Sequence, residues 1–130
     1  MKRLKKSINI AAAVAVALTM GLTTGVAVAA DCDDEDALKT VMKKEYKKKC
    51  KKCHGSKGNG KGPGAKGMDP APPDWTAGTD KSDADLVKIT MEGSKDTEMK
   101  GWAEGTAKKG KHVSQDAAET LVCIIRNFKK

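Results

Sequence analysis

The stretch Cys50-Lys51-Lys52-Cys53-His54 constrains this chain more than any other. Two thiols separated by two residues and followed at once by an imidazole form the pattern by which a porphyrin is attached covalently. Each thiol adds across one vinyl group, and the two-residue spacer lets both sulfurs reach. The next side chain then lies under the ring, where the imidazole of His54 can bind iron. A zinc site would need a second pair of thiols, whereas Cys32 and Cys123 are isolated in the sequence. A thioredoxin-like redox motif would need a βαβ pattern around it, and none surrounds this one. The motif therefore predicts one covalent haem c, with Cys50 and Cys53 as its attachment points and His54 as an iron ligand. The rest of the chain must fold round a flat, apolar cofactor.

Residues 1–30 read as a cleaved secretory signal peptide. Lys2, Arg3, Lys5 and Lys6 form a basic start, Ile8 to Val28 is rich in Ala and Val, and Ala27-Val28-Ala29 offers a small-residue cleavage site. An uncleaved anchor is the alternative, since the stretch is nearly long enough to span a bilayer. Thr19, Gly21, Thr23, Thr24 and Gly25 weaken it as a span. A lipid anchor on Cys32 would need a small residue before it, and Asp31 stands there. Export and haem attachment together imply an oxidising compartment, the periplasm, with no membrane span after cleavage.

Residues 31–130 are expected to form one domain with a small core. One Phe, one Tyr and two Trp are few large apolar side chains for such a core, and a buried porphyrin would supply the missing volume. Of 25 basic and 17 acidic residues, Lys2, Arg3, Lys5 and Lys6 leave with the leader, so the mature balance is +4. A nucleic-acid role is not expected from so modest a charge beside a haem motif.

The organisation is all-α. Ala37, Leu38, Val41, Met42 and Tyr46 recur at helical spacing and predict a helix from 34 to about 52. Asp33 to Asp36 at its start and Lys43, Lys44, Lys47, Lys48 and Lys49 at its end complement the helix dipole. Residues 55–80, rich in Gly, Lys and Pro, read as loop. Ser82 with Asp85 predicts the cap of a second helix over 83–92, with Leu86, Val87, Ile89 and Thr90 inward and Gly93 as its stop. Ser114 starts a last helix whose apolar face is Ala117, Ala118, Leu121, Ile124, Ile125 and Phe128. On this wheel Cys123 falls off the apolar face, nearer Glu119 and Asn127, so a buried thiol is not expected there. No strand and no internal repeat are found.

These elements resemble the small monohaem class I cytochromes c of bacteria over nearly all of residues 34–128. Tyr46 stands four residues before the first haem cysteine, His54-Gly55 opens a Gly-rich loop, and Gly62-Pro63 looks like the family's Gly-Pro step. Pro72-Pro73-Asp74-Trp75 looks like its Pro-rich run ending in an aromatic. Met99-Lys100-Gly101-Trp102 looks like the segment with the distal methionine, with Lys100 in place of the usual proline. Leu121 to Arg126 looks like its C-terminal helix, with Ile124 in place of an aromatic. The resemblance implies the class I cytochrome c fold, with three main helices and long loops wrapped round one covalent haem. It implies that the Pro63 carbonyl accepts the Nδ1 proton of His54, that Met68, Trp75 and Trp102 lie against the cofactor, and that Met99 is the second iron ligand. His112, before the last helix, is the rival ligand and is expected at the surface. Met42 and Met91 are expected in the core. First and last helices cross in this family, which would let Cys32 approach Cys123 and form a disulfide in an oxidising compartment.

The function expected is a periplasmic single-electron carrier, not an enzyme, acting as a monomer. A basic rim of Lys51, Lys52, Lys57, Lys61 and Lys100 would meet redox proteins with acidic docking surfaces. The alternatives are the electron-accepting subunit of a larger oxidoreductase and, with five-coordinate iron, a haem peroxidase or gas sensor.

Overall fold

In a computed structural model of the protein, residues 32–129 are described. The leader expected over 1–30 lies outside them. The order is α1 (Glu35–Val41), a π-helical run (Met42–Cys50), α2 (Lys51–His54), a 3-10 turn (Trp75–Ala77), α3 (Asp83–Glu92) and α4 (Gln115–Asn127). Among the described residues there is no strand, only an isolated antiparallel bridge between Gly93 and Lys100. The fold is all-α, as expected.

The first three pieces form one uninterrupted helical arm. Asp34 starts it, its carboxylate accepting from the backbone N–H groups of Asp36 and Ala37 at 3.1 and 2.9 Å. The arm reaches His54 rather than stopping near residue 52, because no helix breaker precedes Gly55, whose φ of 79° ends it. The haem motif itself is therefore helical, which brings both thiols and the imidazole to one wall. The middle of the arm is wound as a π-helix, so that the Lys51 N–H reaches the Tyr46 carbonyl. Tyr46 lies wholly inside, and its hydroxyl donates to the Gly55 carbonyl at 2.7 Å, tying the body of the arm to its end. Burial raises the Tyr46 pKa well above the ordinary phenol value, so the hydroxyl stays a donor.

The serine caps form as expected. Ser82 Oγ accepts from the Asp85 N–H at 3.1 Å, and Ser114 Oγ accepts from the Ala117 N–H at 3.2 Å. On α3, Leu86 and Thr90 are buried and Val87 and Ile89 half-buried. The short Trp75–Ala77 turn was not apparent from the sequence; Asp74 caps it through the Thr76 N–H at 2.9 Å.

Helix α4 is the spine of the core. It packs against α3 on one side and against α1 and the π-helical run on another. Every residue from Leu121 to Ile125 is buried as a result. The expectation for Cys123 is therefore corrected: it is 1% exposed. The wheel assumed one covered face, but neighbours cover two. Cys123 is joined to Cys32 by a disulfide spanning 91 residues of sequence, with Cα atoms 5.4 Å apart. Met42 and Met91 pack half-buried against the core. Arg126 locks the chain before α3 onto α4, donating to the Thr79 and Lys81 carbonyls and to the Asp83 carboxylate at 2.9, 2.6 and 2.7 Å.

Candidate functional site

One cavity of about 340 Å³ gathers most of the residues singled out in the sequence. Cys50, Cys53, His54, Met68, Trp75, Met99 and Trp102 all line it. The helical motif supplies the first three, the 55–80 loop supplies Met68 and Trp75, and the loop after α3 supplies Met99 and Trp102. Leu86, Ile89, Leu121 and Ile125 complete an apolar wall from α3 and α4. His112 is exposed and is not among the lining residues.

The motif side is built from stacked rings. The His54 imidazole lies on the Trp75 indole, centroids 4.2 Å apart and planes within 10°. Trp75 stacks in turn with Phe128 at 6.4 Å, and Phe128 meets Tyr46 at 5.2 Å. The chain's only Tyr and only Phe are thus both spent behind the motif. Phe128, one turn beyond Ile124, supplies an aromatic contact from the last helix. Burial lowers the His54 pKa to about 4, so the ring is neutral, the form that binds a metal.

The bond expected between His54 and Pro63 is not made. Nδ1 of His54 is buried without a hydrogen-bond partner, Pro63 is exposed, and Pro63 does not line the cavity. Stacking on Trp75, rather than a carbonyl, sets the ring's orientation here. The segment around Pro63 is nonetheless held against the motif, with the Gly62 N–H on the Cys53 carbonyl at 3.0 Å and the Gly64 N–H on the Lys52 carbonyl at 2.8 Å. A Cβ at Gly62 would fall on the Lys52 carbonyl oxygen, so only glycine allows this approach. Gly62→Ala is expected to cost about 2 kcal/mol or more, read as a lower urea midpoint at unchanged slope.

The two motif thiols are half-buried and unbonded, in contrast to Cys32 and Cys123. Burial, with the Glu45 carboxylate adding to it, pushes the Cys50 thiol up to about 12, so it is kept protonated. With Cys32 and Cys123 joined to each other, no second thiol pair is left for a zinc site.

The loop carrying Met99 is closed by its own backbone, although Lys100 takes the place of proline. The Ser94 N–H donates to the Met99 carbonyl at 3.0 Å, and the Met99 N–H donates to Thr97 Oγ1 at 3.1 Å. The Trp102 and Ala103 N–H groups then return to the Thr90 and Met91 carbonyls of α3 at 3.0 and 2.9 Å. Met99 is half-buried in a loop anchored at both ends.

Charged residues at the cavity that the sequence reading did not single out are Lys81 and Glu98, which line it, and Glu45 beside it. Of the lysine run before the motif only Lys49 reaches the lining, and Glu45 pairs with it. The spacing of Glu45 and Lys49, one helical turn apart, was the available signal. Of the expected basic rim, Lys100 borders the cavity, while Lys51, Lys52, Lys57 and Lys61 are exposed elsewhere on the surface.

These residues fit a covalently held porphyrin. Two unbonded thiols and a neutral, buried imidazole with an unpartnered nitrogen share a mainly apolar wall with a thioether from another loop. No helix among the described residues is long and apolar enough to cross a membrane. No curated protein and no solved structure matches the chain. The family model described as cytochrome c matches residues 42–123, from the π-helical run through the haem motif and the Met99 loop into α4, and the chain therefore belongs to the cytochrome c family.

Proposed function

We propose that the chain is a periplasmic carrier of single electrons, with one haem c bound through Cys50 and Cys53 and held by His54 and Met99. Haem-based electron transfer follows from the family. The finer reading rests chiefly on one observation: both thiols, the imidazole and the Met99 thioether line a single apolar cavity. When bound, the haem supplies one-electron iron chemistry, and a thioether ligand favours the ferrous state.

The chain's own contribution is preorganisation. Trp75 holds the His54 ring flat, and burial keeps that ring neutral. Backbone bonds hold the Met99 loop, so little need rearrange between oxidation states. Leu86, Ile89, Leu121 and Ile125 exclude water from the site. The Cys32–Cys123 disulfide supports an oxidising compartment, consistent with the expected leader and export to the periplasm.

Exposed Lys51, Lys52, Lys57, Lys61 and Lys100 would draw in redox proteins with acidic docking surfaces, giving a monomeric carrier fast and weak encounters. Electron-transfer rates to such a partner are expected to fall by about tenfold or more between low salt and 0.5 M. Stopped-flow mixing over an ionic-strength series measures this. A rate independent of salt would remove the basic rim from the account, and co-purification in a fixed ratio with a larger oxidoreductase would replace the free carrier by a subunit.

A further inference from the structure

Lys49 sits within a run of exposed lysines but is not one of them. Its side chain is 15% exposed, and that of its ion-pair partner Glu45 is 19% exposed. The ammonium also donates to the His112 carbonyl at 3.1 Å and stands 6.0 Å from the centroid of the Trp102 ring. Lys49 lines the same cavity as Met99 and Trp102. Trp102 lies three residues after Met99, and its carbonyl accepts from the Val113 N–H at 2.8 Å. Lys49 therefore reaches from the arm that carries the haem motif to two other segments, the one following Met99 on the cavity wall and the one preceding α4.

An ammonium this largely covered favours keeping its partners, because losing them leaves a charge poorly satisfied. Three fixed groups meet this one: the Glu45 carboxylate, the His112 carbonyl and the Trp102 face. Outward movement of the Trp102 segment takes the ring face away and, through the bond from the Val113 N–H to the Trp102 carbonyl, pulls on the segment that carries the His112 carbonyl.

We propose that Lys49, held in place by Glu45, is a latch that keeps the Met99 wall closed on the haem and so positions the distal methionine. Lys49 is a positioning residue, since it acts through Trp102 and His112 rather than on iron. The latch rests on the assignment of Met99 as an iron ligand.

The test uses the ferric holoprotein and free imidazole as the probe, following loss of the far-red sulfur-to-iron band. Imidazole is expected to displace Met99 from Lys49→Met at about tenfold lower concentration than from wild type. Lys49→Arg, which keeps the charge, is expected to stay within about twofold of wild type. The double variant Glu45→Gln/Lys49→Met leaves no unpaired charge, so it keeps the test available if Lys49→Met alone does not fold. It too should release Met99 more easily.

A urea series separates a latch from a general loss of stability. In the latch variants the far-red band should disappear at lower urea than the helical circular dichroism. If the two disappear together, or if Lys49→Met and wild type bind imidazole alike while wild type shows the band, the latch is wrong and the Met99 assignment stands. A wild-type protein without the band overturns the ligand assignment and the latch with it.

Discussion

Met99→Ala is expected to abolish the far-red band of the ferric protein and to lower its midpoint potential by roughly 0.1 V, within the span of about 0.8 V that axial ligands command. The direction follows from the loss of a neutral thioether that favours ferrous iron. The change should be confined to the ligand. The contacts that close the loop are made by main-chain groups: Ser94 to Met99 at 3.0 Å and the bridge from Gly93 to Lys100. The remaining anchor, from the Met99 N–H to Thr97 Oγ1, also does without the Met99 side chain. Helical circular dichroism should therefore stay close to wild type while the potential moves. An unchanged potential in a folded variant would return Met99 to the role of a packing residue.

Removing the disulfide should have the largest effect on stability. The variant Cys32→Ser/Cys123→Ala frees a closed loop with a sequence separation of 91 residues. The expected loss is about 4 kcal/mol, or roughly 20 °C in Tm for a domain of this size. Alanine is chosen at position 123 because that site is 1% exposed, and a serine hydroxyl there would add a burial penalty of its own. Serine is suitable at position 32, which is exposed. Thermal unfolding by circular dichroism measures the shift, and wild type under reductant should move toward the variant. An unchanged Tm would show that helix packing alone holds α1 against α4.

What could be read from the sequence was what short stretches decide for themselves. The serine caps at Ser82 and Ser114 and the Gly93 stop each depend on a few neighbours, and each forms as expected. The gathering of Met68, Trp75, Met99 and Trp102 on one cavity was reachable only through family resemblance, because they come from separate loops.

The misses depend on which faces the folded chain covers. Cys123 looked exposed on a one-faced wheel, yet α4 is covered on two sides. The resemblance offered the Pro63 carbonyl to His54, but the ring lies against Trp75, with Nδ1 unpartnered. Locally, Lys49 differs from Lys47 and Lys48 only in standing four residues after Glu45. Only the approach of Trp102 and His112 buries it and leaves the other two exposed.

The most direct test of the account is the visible absorption spectrum of the purified holoprotein, oxidised and reduced. Low-spin spectra in both states, with the far-red sulfur-to-iron band in the ferric form, are the predicted result for iron held by His54 and Met99. A high-spin ferric spectrum would mean an open coordination position and favour a peroxidase or gas sensor. A low-spin spectrum without the far-red band would mean a nitrogen ligand. Either of the last two results contradicts the carrier built on Met99.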